Sequence, residues 1–145
     1  VNAKGSPLAE LDDVDVFRRV IYEDKEALGF GRALKPNLSD AARERALTRE
    51  IEKFVDNKVI AKAEAKIDAL STAAYTRPNP SGNGTAFVPS LQEISEIRNM
   101  TFRFEGDSPV LQRVMQARLQ TLQVRYPEYN FSSQYGYKPL TKPVR

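Results

Sequence analysis

The chain has 145 residues, 41% hydrophobic and 28% charged, with a formal net charge of +3; that fits one domain and excludes disorder throughout. Cys and His are both absent, which removes disulfides, thiolate and imidazole metal ligands, and every His-based triad. No apolar run is long enough to cross a membrane as a helix, and no secretory signal opens the chain.

A non-secreted, reducing compartment is expected, or an organelle interior after removal of a targeting peptide. Residue 1 is Val, which fits either processing or a trimmed start. The charge is graded along the chain, from a net −3 over residues 1–29 to +5 over 109–145. A polarised chain of this kind suits an acidic partner at its C-terminal end.

Residues 1–7 are small and polar, and a flexible N-terminus is expected. A first helix is predicted over 8–28. Pro7 follows a capping Ser6, acids crowd the start, Val14, Phe17, Ile21 and Leu28 share a face, and Gly29 stops it. Residues 29–38 connect it to a long central helix over 40–74, capped by Ser39 and free of Gly and Pro. Its apolar phase slips midway. At about 100° per residue, Leu47, Ile51, Phe54 and Val55 share one side, and Ile60, Ala63, Ile67, Leu70 and Ala74 lie nearly opposite. Either a turn at Asn57 or different partners on two sides would bury both stripes.

A loop rich in Pro and Gly is predicted over 76–89, ending in a short extended piece at 86–88. Ser90 and Glu93 form a capping-box pattern ahead of a short helix at 91–99. Phe102 and Phe104 alternate within an extended piece at 101–105. Pro109 opens a last helix over 109–125, whose Leu111, Val114, Met115, Leu119 and Leu122 share a face. The tail 126–145 carries three prolines and five aromatic residues with little aliphatic content. Five rings are more than such a segment can bury by itself, and it is predicted to run as an extended arm. The expected architecture is therefore mainly α, a helical domain over 8–125 with a long central helix, short extended segments, and a Tyr/Pro-rich C-terminal arm.

Chemistry is sparse. The carboxylate pairs Asp12-Asp13, Glu50/Glu52 and Glu93/Glu96 fit helix starts and solvated faces better than a buried acid pair. Gly29-Phe30-Gly31 lacks the third glycine of a dinucleotide loop. Asn37, Asn83, Asn99 and Asn130 stand in N-x-S/T sequons, but the missing cysteines and signal argue against glycosylation. No catalytic residue, metal or cofactor is expected. Arg113, Arg118 and Arg125 at helical spacing, next to the aromatic tail, make nucleic acid a second partner class. Protein binding accounts for more of these features together, since aromatics and Arg are enriched at interfaces. The expected partner-binding residues are Tyr126, Tyr129, Phe131, Tyr135, Tyr137, Lys138, Lys142 and Arg145. The expected function is a non-catalytic assembly or linker subunit that ties other proteins into a larger complex. An RNA-associated accessory subunit of a ribonucleoprotein particle is the alternative, and a small carboxylate-dependent enzyme the third.

Overall fold

The structure, a computed structural model, describes residues 1–32, 34–78 and 88–138. Most of the predicted loop, residues 86 and 87 of the extended piece after it, Asn83, Lys142 and Arg145 lie outside the described residues. The elements in order are β1 (Asp13–Asp15), β2 (Val20–Lys25), α1 (Asp40–Phe54), a π-helix (Val55–Ile60), α2 (Ala61–Thr72), α3 (Leu91–Ser95), β3 (Asn99–Phe104), α4 (Pro109–Arg125) and β4 (Asn130–Gln134). They form a four-stranded mixed sheet in the order β1-β2-β3-β4, antiparallel between β1 and β2 and parallel across the other two pairs. With 43% of the described residues helical and 16% in strands, the fold is mixed α and β, which corrects the mainly α architecture expected from the sequence.

The correction begins at residues 8–28, where a β-hairpin replaces the predicted helix. Val14, Val16, Val20, Ile21 and Tyr22 are β-branched or aromatic, types that favour a pleated half-buried surface. Arg19 takes a positive φ of 56° in the turn, which ends any helix there. The piece at 101–105 is the centre of the sheet. β3 pairs with both β2 and β4, and five of its six residues are buried.

The long central α-helix is also corrected. Helical backbone runs from Asp40 to Thr72, but as two α-helices separated by six residues of π-helix at the site of the phase slip. A π-turn holds one residue more than an α-turn, so it rotates the succeeding helix by about 100°. That rotation brings the second stripe round onto the side of the first. Ile51, Val55, Val59, Ile60, Ala63 and Ile67 are all buried in one core, with Leu47, Phe54 and Leu70 packed against it. Neither a turn at Asn57 nor a second partner is needed.

The C-terminal arm is corrected in the same way. After α4, residues 130–134 return to pair in parallel with β3, as a strand–helix–strand crossover. The Tyr137 N–H donates to the Phe104 carbonyl at 2.8 Å, carrying the contact past the strand's end. The predicted caps are present at α1, where the Ser39 side chain accepts from the Ala42 N–H, and at α3, and α4 has a cap that was not predicted. Ser90 and Glu93 close a capping box, and the Ser108 side chain accepts from the Leu111 N–H. At the end of β3 the chain presses on the bend after β2. A Cβ on Gly106 would lie 2.1 Å from the Ala27 carbonyl oxygen, so only glycine fits.

Strand alternation gives the sheet two unlike faces. Ile21, Glu23, Met100, Phe102, Phe104 and Phe131 point into the layer of helices. Asp13, Asp15, Tyr22, Asp24, Thr101, Arg103 and Ser132 stand on the other face.

Candidate interaction surface

The hairpin tip is the most exposed apolar feature among the described residues. Phe17 is 101% exposed, whereas Val124 at 82% and Leu28 at 57% each keep part of their surface covered. The turn that carries Phe17 is held by hydrogen bonds. The Arg18 N–H donates to Asp15 Oδ1 at 3.0 Å, and Asn99 Nδ2 donates to the Arg19 carbonyl at 3.1 Å. Arg18 and Arg19 come directly after it in the chain. The Arg18 side chain is 79% exposed and only loosely paired with Asp15, at 3.8 Å.

On the outer face of the sheet, Arg103 is held on all sides. Its Nε and Nη2 donate to the two Asp24 carboxylate oxygens at 2.6 and 2.8 Å, and Nη2 also reaches Asp13 at 3.2 Å. The guanidinium lies 3.9 Å from the Tyr22 ring and 4.4 Å from the Tyr137 ring. Burial works against its charge, but the hydrogen bonds to Asp24 prevail and raise its pKa. This arrangement pins the segment after β4 to the sheet.

On the inner face, Glu23 is 2% exposed and bonded to Lys66 of α2, and its Oε1 has no partner. Burial pushes the Glu23 carboxyl up to about 7, against the lowering effect of Lys66. Burial, with Lys66 nearby, also lowers the pKa of Lys25. Lys66 forms part of the wall of a groove of about 460 Å³ between residues 7–14, the end of α2, and the chain at 75–78 and 88–94. Glu23 lies beneath that wall, out of reach of a bound molecule.

The aromatic residues of the tail sit against the chain's own core. Tyr129 is buried, stacked on Phe131 at 5.9 Å and capped by Arg98 at 5.5 Å. Tyr135 stacks on Phe104 at 5.5 Å. Tyr126 is half-buried and donates its O–H to Asp68 at 3.1 Å. Tyr137 covers Arg103, and Lys138 is exposed. The expectation that these rings lie on an arm extending away from the helices fails, because Phe131 of β4 and Tyr135 just after it pack against the core of the same chain. Arg118 and Arg125, which suggested nucleic acid, pair with Asp56 and Glu64 on the facing helices.

Sequence reasoning placed Phe17 on a buried helix face and passed over Glu23 and Arg103. The missed signal was alternation. Ile21 and Glu23 are two apart in a β-branched run, as are Thr101 and Arg103. Val1 is tied to α2's end, its carbonyl accepting from the Ala74 N–H at 2.8 Å. Among the described residues, no cluster of acids could hold a metal ion and no helix is long and apolar enough to cross a membrane. Comparison with known protein families, curated proteins and solved structures gives no match, so the reading of this surface rests on its own geometry.

Proposed function

We propose that the chain is a non-catalytic assembly subunit that docks on other proteins through the β1–β2 hairpin. The carrying observation is Phe17, an aromatic ring with no cover of its own on a hydrogen-bonded turn, with two arginines directly after it. Aromatics and Arg are the residue types enriched at protein interfaces. A ring held on a rigid tip loses little conformational freedom when it docks. On the outer sheet face beside the tip, Asp13 and Asp24 pair with Arg103 and Asp15 with Arg18, so this face offers no excess of positive charge to a phosphate backbone. Protein is therefore the better-supported partner class.

A photo-reactive benzoylphenylalanine at position 17 of the full chain tests this, with the exposed Gln116 of α4 as the control position. Irradiation in extract of the producing cells is expected to give a discrete protein adduct from position 17 and none from position 116. The same adducts from both positions, or none from 17, would overturn the reading.

A further inference from the structure

The two edges of the sheet are unlike. β1 is three residues long and carries Asp13 and Asp15, with Asp12 just before it. A short, charged edge of this kind resists further pairing. β4 has five residues, with no charge, no proline and an unbroken register against β3. The Asn130 N–H donates to the Arg98 carbonyl, so alternation turns the backbone groups of Asn130, Ser132 and Gln134 toward β3. Those of Phe131 and Ser133 point to the free edge, where no partner meets them among the described residues.

The chain around Ser133 is complementary to itself in antiparallel register. With Ser133 opposite Ser133 of a second copy, the outward groups of the two serines meet as a hydrogen-bonded pair, and Phe131 lies opposite Tyr135. Phe131, Ser133 and Tyr135 are each half-buried on the side of the helices, so an aromatic pair forms on either side of the two-fold axis. Glu128 and Lys138 stand five residues before and five after Ser133. Both are exposed and neither has an ion pair among the described residues. The same register brings each Lys138 to Glu128 of the second copy. We propose that two copies of this chain join edge to edge through β4, antiparallel and centred on Ser133, making one continuous sheet. The contact is isologous and closes at the dimer. It goes beyond the docking role of Phe17, because β1 and β2 then form the two outer edges and the dimer carries a tip at each. Two bound proteins would be tied together through one pair of chains.

Sedimentation equilibrium of the full chain from about 1 µM to about 1 mM tests it. The wild type is expected to pass from monomer to dimer. Ser133→Glu and Ser133→Lys each set like charges opposite one another and should weaken association at least ~10-fold. Mixed in equal amounts, the two variants should recover the dimer, because Glu then faces Lys. Lys138→Glu tests the same register at an exposed position away from the core, with circular dichroism confirming the fold. It should weaken association about 5-fold, and adding Glu128→Lys to the same chain should restore it. A monomeric wild type, a dimer indifferent to these charges, or a mixture and a double variant that both fail to recover would overturn the pairing. Cross-linking from position 17 is read separately, so the docking role of the tip stands or falls independently.

Discussion

Glu23 enters the helix layer because strand pleating gives it the same side as Ile21, whatever its charge. Its carboxyl is half-satisfied, with Oε2 on Lys66 and Oε1 unpaired. The folded pKa of about 7 stands above the ordinary 4.5. A raised acid stabilises the fold fully below pH 4.5, and that contribution fades as pH rises to about 7. At about 1.4 kcal/mol per pH unit the loss is of order 3 kcal/mol. Glu23→Gln keeps the neutral shape and removes the titration. Urea unfolding of both proteins across this range is expected to show the wild type losing stability relative to the variant as pH rises. Parallel curves would mean that Glu23 stays charged throughout.

The six π-helical residues between α1 and α2 are an insertion accommodated by the backbone. Asn57 is exposed within them, while Val55, Val59 and Ile60 are buried. Deleting Asn57 should let the segment relax to regular α-helix with both apolar stripes still on the core side. Thermal unfolding is expected to stay cooperative, at a midpoint no lower than that of the wild type. Inserting an Ala beside Asn57 should instead turn α2 by about 100° and expose Ile67, costing ~2–5 kcal/mol. β4 makes a similar claim at the other end of the chain. Removing residues 127–145 would uncover Phe102 and Phe104 and strip one side of β3, so loss of the cooperative transition is expected. A truncated chain with native helical circular dichroism and a sharp transition would show that the strand is dispensable.

At the scale of the whole molecule, most of the sheet was illegible in the sequence because its partners are remote. α4 could be read locally, since Ser108, Pro109, five apolar positions and Pro127 all agree. Val14, Phe17 and Ile21 satisfy helical spacing and break strand alternation, so the local pattern favoured a helix and the remote pairing of β2 with β3 overrides it. The phase slip was readable to within a few residues, but a change of helix type was not among the solutions that composition suggested. Of the interaction surface, Phe17 and its arginines were visible only as a stripe member and a charge. Their exposure follows from the hairpin, and the groove depends on bringing residues 7–14 against α2.

The placement of β3 also constrains how the protein is made. Arg103 bonds to Asp24, 79 residues earlier, and Thr101 to Ser132, 31 residues later. Neither side of the central strand can be completed by neighbours in sequence, so loop closure must precede any gain from pairing. During synthesis, α1, the π-helix and α2 emerge well before β3 and β4. Their apolar stripe, from Leu47 to Leu70, then has only earlier residues such as Ile21 and Phe30 to cover it, without β3, α4 and β4. A nascent chain in that state is a client for a holding chaperone, and slowed release of the last residues would lengthen its exposure to aggregation.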